Sequence, residues 1–244
     1  MASMSENNQI VWWHFSDVHW EARASTERRT FLNALFDDLR KRVDQYGHPD
    51  FVVMSGDLSF SGEEAQFSDV EEHFIQPLLG IASNENLPLF LVAGNHDLRR
   101  STARTVNPDL ILSISSMKSL NEFLDADELS DTIKRPFAIF ENFSRRCMPM
   151  AEWDSLGWWQ ELDIRGTRLF VAGVNSAWAS SYHKNADGVV DDERHLLLGQ
   201  RQLQNLMERS ASAEVSLFIL HHPLRWLNGF NEPHVKHSLI SESG

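Results

Sequence analysis

The chain has 244 residues, 42% hydrophobic and 23% charged, a balance that excludes intrinsic disorder, collagen-like repeats and low-complexity character. That length allows one large α/β domain, or a domain carrying an insertion. With 22 Lys and Arg against 35 Asp and Glu, the formal charge is −13; the surface as a whole repels nucleic-acid phosphates and anionic membranes, and any handling of phosphate needs bound cations to offset that field.

The single cysteine, Cys147, excludes an intrachain disulfide and a Cys-rich metal framework, and suits a reducing, cytoplasmic location. The polar stretch 1–9 lacks the basic-then-apolar profile of a secretory signal. No membrane contact is expected, because the longest apolar run, 87–93, is far shorter than the ~20 residues a spanning helix needs.

Short apolar runs at 10–15, 51–54, 89–93, 169–174 and 217–220 read as strands buried on both faces. Between the first two, Phe31, Leu32, Leu35, Phe36, Leu39 and Val43 recur at helical spacing, with Ser25 or Thr26 as N-cap and Gly47 as stop. Between the second and third, Phe67, Val70, Phe74, Ile75, Leu78 and Leu79 repeat the pattern, and Pro77 is expected to bend or end the helix. The first 97 residues therefore read β-α-β-α-β, with polar residues gathered at the carboxyl ends of the strands, where open α/β sheets bind ligands.

Residues 98–165 read as an insertion or cap, with helical stretches at 110–124 and 137–143 and a Trp-rich segment holding Trp153, Trp158 and Trp159. The pattern then resumes as a strand at 169–174. An acidic loop (Asp187, Asp191, Asp192, Glu193), a helix around 200–209 and the strand at 217–220 follow. The whole of 1–244 is read as one domain.

The chemistry-bearing residues follow the strands. Asp17-x-His19 offers a carboxylate and an imidazole from one turn; Gly56-Asp57, followed by Gly62, adds a carboxylate where glycine admits close backbone approach. Gly94-Asn95-His96-Asp97 can give a neutral oxygen ligand beside a proton-donating imidazole, and His221-His222-Pro223 ends a later strand. Each motif alone is common, as a turn aspartate or a satisfied core pair. Together, at successive strand ends, they form an oxygen and imidazole set that suits manganese, iron or zinc, and a shared carboxylate can hold two such ions.

On these motifs, over residues 10–223, the sequence resembles the calcineurin-like metallophosphoesterase superfamily of phosphatases, phosphodiesterases and nucleases. The resemblance implies a four-layered α/β/β/α sandwich with a helical insertion, and a dimetal hydrolase of phosphodiesters or phosphomonoesters. It implies Asp17 and His19 on one cation, Asn95 and His221 on the other, and Asp57 bridging both, with a hydroxide between the ions attacking phosphorus. His96 is expected to protonate or steady the leaving-group oxygen, with Asp97 orienting it. Arg99, in a group with Arg100 and Arg104, is expected to bind a substrate phosphate, and His222 to support His221 or touch that phosphate.

The pattern departs from the family in one place: no Gly-His-x-His follows the histidine turn. His234 and His237, at i and i+3, are the remaining histidines, a spacing that suits a helical site rather than a strand end. The chain is therefore read as lacking its last strands, with a further domain or segment after Gly244 supplying the motif. A non-catalytic binding or regulatory module built on the same scaffold is the competing reading. Nucleic acid enters only as a substrate, since a nuclease needs a basic groove. His14, inside the first strand, is read as a satisfied buried histidine, and Asp191-Asp192-Glu193 as solvated charge.

Overall fold

The computed structural model describes residues 9–21, 26–126, 132–154 and 156–241. Three parallel strands, β1 (Trp12–Phe15), β2 (Phe51–Met54) and β3 (Leu89–Leu91), lie side by side in chain order. They are joined by α1 (Thr26–Tyr46) and by a second crossover made of α2 (Glu64–Val70), a π-helical turn (Glu71–Ile75) and α3 (Gln76–Ala82). This is the expected β-α-β-α-β order.

Helix α1 buries Leu32, Phe36 and Leu39 and stops at Gly47, whose φ of 87° lets its N–H return to the Val43 carbonyl at 2.8 Å. Phe31, expected on the same face, is 65% exposed, because neighbours on a helix diverge by about 100° and Leu32 takes the inward position. Thr26 is the first helical residue rather than the cap, and Ser25 lies outside the described residues. In the second crossover every expected apolar residue is buried. Pro77 does not end it. Gln76 donates instead to the Glu71 carbonyl, five residues back, and this wider turn lets the helix pass a residue that has no N–H and whose ring crowds the preceding turn.

The second sheet holds β4 (Glu152–Trp153), β5 (Gly157–Ile164), β6 (Thr167–Val174) and β7 (Val215–Ile219), antiparallel except for the β6–β7 pair. Residues 152–164, read from sequence as the end of an insertion, thus supply two strands. Arg165 and Gly166, with φ of 53° and 84°, make the tight hairpin turn between β5 and β6. The helical part of the region comprises α4 (Arg100–Ala103), α5 (Pro108–Leu112), α6 (Met117–Asp125) and α7 (Ala138–Cys147).

The sheets pack face to face. Trp158 lies between them, stacking on Phe90 with centroids 5.5 Å apart and donating its indole N–H to the Leu91 carbonyl at 2.7 Å. Along β6, Leu169 and Val171 face the first sheet. Phe170, Ala172 and Val174 point the other way, into a second cluster with Leu203, Leu206 and Met207 of α8 (Gln200–Ser210) and Val235 of α9 (Glu232–Ser241). Helices thus cover the outer face of each sheet, giving the expected α/β/β/α layering. Among the described residues β7 pairs with β6 alone. No helix of the described residues is long and apolar enough to cross a membrane.

Candidate metal centre

The loops leaving β1, β2, β3 and β7 meet at one end of the sandwich. Beyond β1 the chain keeps pace with the segment after β2: Asp17 N–H donates to the Gly56 carbonyl at 3.1 Å, His19 N–H to Asp57 at 2.8 Å and Trp20 N–H to Leu58 at 2.8 Å. Asp17, His19 and Asp57 have φ of 57°, 45° and 54°. Left-handed backbone costs roughly 1–2 kcal/mol for a residue with a side chain, and three such residues at one spot are retained by the contacts that fix them.

Asp57, 3% exposed, sits at the centre. One of its oxygens accepts the His96 backbone N–H at 2.8 Å, and the other lies 3.7 Å from His19 Nε2 and 3.5 Å from His221 Nε2. His19 Nε2 is also 3.6 Å from an Asp17 oxygen. Ligand atoms of His19, Asp57 and His96 fall within 4.8 Å of one another, as do those of Asp17, Asp57 and His221. The two groups share only Asp57.

Glycines allow this approach. A Cβ on Gly56, whose φ is 104°, would meet His221 Nδ1 at 2.5 Å, and one on Gly94 would collide with the Asp57 carboxylate. Neither position tolerates a side chain without displacing His221 or Asp57.

The neighbours of the cluster set ligand orientation. His221 Nδ1 donates to the Ser55 carbonyl at 2.8 Å, which leaves Nε2 as the inward atom. Burial alone would lift the Asp57 pKa, but hydrogen bonding and charge from His221, with the His96 N–H, hold it below the usual carboxylate range. Burial likewise opposes charge on His221, and Asp57 outweighs it, so the imidazole pKa is raised. His19 Nδ1 is buried with no hydrogen-bond partner among the described residues. The carboxylate oxygens, the inward Nε2 atoms and this unsatisfied imidazole make a donor set that fits divalent cations of intermediate hardness.

Asn95 lies beside this cluster, and its Oδ1 accepts from His222 Nε2 at 3.3 Å. His222 is 5% exposed and also contacts Ser176 Oγ at 3.1 Å, and its ring lies 4.6 Å from that of His221. Burial and the adjacent His221 push its pKa down to about 3, so the ring is neutral. It therefore steadies Asn95 from behind and is too enclosed for the substrate contact raised from sequence.

The expected pairing of Asp97 with the His96 ring is not made. His96 Nδ1 donates to the Phe60 carbonyl at 2.9 Å, which fixes the proton on that nitrogen and leaves Nε2 free. Asp97, wholly buried, accepts instead from Leu58 N–H at 3.3 Å, Ser59 N–H at 2.8 Å, Ser59 Oγ at 3.1 Å and Gly94 N–H at 3.0 Å. Burial, with the Asp57 charge, lifts its pKa to about 6. It ties the loop after β2 to the loop after β3, a role that needs a buried acceptor and is invisible to motif spacing.

Arg99 is also placed differently from the expectation. It turns to Glu63 at 3.4 Å, while Arg100 and Arg104 line an open cleft of about 1210 Å³ that begins at Asn95 and His96. Its lining also includes Tyr182, His183 and Asp191. Asp192 corrects the reading of solvated charge: it is 8% exposed, accepts the Ser181 N–H at 2.8 Å and so folds that segment back on itself. His14 is exposed rather than buried, though its ring meets Ser55 Oγ at 2.7 Å, because β1 is the outermost strand of its sheet. His234 and His237 are exposed on α9, on the side opposite Val235, and join neither ligand group.

The family model described as calcineurin-like phosphoesterase matches residues 11–240. No curated protein matches the chain. Among solved structures, a 5'-nucleotidase precursor from Thermus thermophilus matches 86% of this chain at 12% identity and a TM-score of 0.33. The matched region is 37% of that protein, so the chain spans little more than a third of its length.

Proposed function

The chain belongs to the calcineurin-like phosphoesterase family, and from that premise we propose that it hydrolyses phosphate esters with the help of two divalent cations, manganese foremost, in the cytosol. The observation that carries this reading is Asp57: one oxygen is held by the backbone and the other faces two imidazoles from opposite ends of the chain. Asp17 and His19 would hold one cation, Asn95 and His221 the second, and Asp57 both. Bound there, the cations would offset the negative field of the chain, polarise the phosphoryl oxygens and make water a nucleophile at neutral pH.

The protein's own part is positional. Ser55 and His222 fix the ligand atoms of His221 and Asn95. Phe60 fixes the His96 tautomer, so that an imidazolium would present its Nε2 proton to a leaving-group oxygen at the mouth of the cleft. The cleft beside His96 admits a leaving group of nucleoside size.

Turnover of bis(4-nitrophenyl) phosphate and 4-nitrophenyl phosphate, with and without manganese, tests this against Asp57→Asn. Manganese-dependent release of nitrophenol that the substitution abolishes supports the hydrolase, and the preferred ester separates diesterase from monoesterase. A folded protein that binds manganese and turns over neither ester is the non-catalytic scaffold instead.

A further inference from the structure

Several arginines in this acidic chain are held by carboxylates, as Arg99 is by Glu63 at 3.4 Å, Arg145 by Glu141 at 2.6 Å and Arg165 by Asp50 at 2.6 Å. Arg100 and Arg104 are not: among the described residues no carboxylate pairs with either, as none does with Arg29, Arg135, Arg209 or Arg225. They sit one helical turn apart, linked by the Arg104 N–H to the Arg100 carbonyl at 3.1 Å, so both side chains project from one face. Leu98 and Ala103 are buried on the other face. Two guanidinium groups in this arrangement repel each other unless an anion lies between them.

Their position relative to the metal centre gives the spacing. The His96 ring lies 4.5 Å from the His19 ring on one side and 5.5 Å from the Phe60 ring on the other. The Arg100 guanidinium lies 5.9 Å from the Phe60 centroid, and Phe60 is 40% exposed. Ligand cluster, His96, Phe60 and Arg100 therefore follow one another outward. The rim of the same cleft carries Leu112, Val189 and Val190, which are 43%, 60% and 46% exposed. Tyr182, 9% exposed, forms part of its wall, with a hydroxyl that has no hydrogen-bond partner among the described residues.

We propose that Arg100 and Arg104 form an anion subsite on the leaving-group side, so that the preferred substrate is a small phosphate ester whose leaving group has a flat, partly apolar body and a second phosphate, as in a nucleoside bisphosphate. The proposal rests on the phosphoesterase reading of the metal centre for which phosphate reacts, but not for where the second one binds. Asp191 and Glu193 outweigh Lys184 elsewhere in the lining, and with the net charge of −13 they favour the arginine pair as the anion subsite and disfavour a long polyanion.

The test compares adenosine 3′,5′-bisphosphate with adenosine 3′-monophosphate in two measurements: calorimetric binding to the EDTA-treated protein, and phosphate release with manganese. Loss of either phosphate from the bisphosphate leaves the other on the leaving group. The expected result is about tenfold tighter binding of the bisphosphate, in keeping with charge-assisted hydrogen bonds to a second anion. The Arg100→Gln/Arg104→Gln variant should lose that preference, and Arg99→Gln should keep it. Equal binding of the two nucleotides, a preference that survives the double substitution, or faster hydrolysis of a single-stranded oligonucleotide than of the bisphosphate overturns the subsite. A binding preference without turnover of any ester upholds the subsite and overturns the hydrolase; turnover without the preference does the reverse.

Discussion

The carboxylate of Asp57 accepts the backbone N–H of His96 at 2.8 Å, so the residue at the centre of both candidate ligand groups also holds the loop that carries the proposed proton donor. The two oxygens of Asp57 thus divide the work between the fold and the centre.

Asp57→Asn separates those functions. An amide oxygen can still accept the His96 N–H, but the charge facing His19 and His221 is gone. We expect manganese affinity to fall by roughly 100-fold or more, beyond the effect typical of an outer-layer partner. In thermal melts, manganese should raise the midpoint of the wild type in proportion to its binding and leave the variant unmoved. Equal manganese shifts in the two proteins would remove Asp57 from the centre.

Asp97→Ala should act on stability rather than on chemistry. It removes the acceptor of four donors in two loops while leaving His96 attached to Phe60. Buried donors left without partners cost about 1–3 kcal/mol each before relaxation, and we expect a net loss of about 3 kcal/mol in urea unfolding. A variant as stable as the wild type with greatly reduced turnover would instead return Asp97 to the catalytic role.

Asp192 gives a pH dependence of definite sign. Burial lifts its pKa from 3.8 to about 6, so between those values the folded state holds more protons than the unfolded one and stability falls as pH rises. Above pH ~6 the full penalty is present, on the order of 2–3 kcal/mol. Asp192→Asn keeps an acceptor for the Ser181 N–H and removes the buried charge. Its advantage over the wild type should therefore be small near pH 4 and largest at pH 7 and above, read from denaturant midpoints. A difference that does not vary with pH would contradict this.

Trp158→Ala should cost about 3–5 kcal/mol, the range for deleting a large buried aromatic. The ring fills the space between the sheets and its N–H satisfies Leu91. Trp159→Ala, on the outer face under Arg209 at 4.2 Å, should cost less. The ratio of the two losses reports which face of β5 holds the sandwich together.

Much of the fold was legible because the first half of the chain alternates short apolar strands with helices whose buried residues recur at the helical period. The Trp-rich stretch misled because Trp158 and Trp159 are adjacent and both large, a pattern that looks like a single apolar block. Only the pairing of Trp158 with Gly173 and Trp159 with Ala172 assigns them to opposite faces of β5. The interruption expected at Pro77 takes the form of a π turn just before it, which shows in backbone hydrogen bonds and leaves no mark in composition.

The sequence by itself determined the candidate ligand types and their order, because Asp17, His19, Asp57, Asn95 and His221 follow strands whose apolar runs are readable. Tertiary structure alone decided the roles of their neighbours. Whether a buried carboxylate such as Asp97 orients a catalytic ring or ties two loops, and whether Arg99 or Arg100 faces the cleft, depends on directions in space that adjacent positions in the chain do not share. A one-residue step on a helix or turn moves a side chain to another face, and a motif fixes which residues are present but not where each one points.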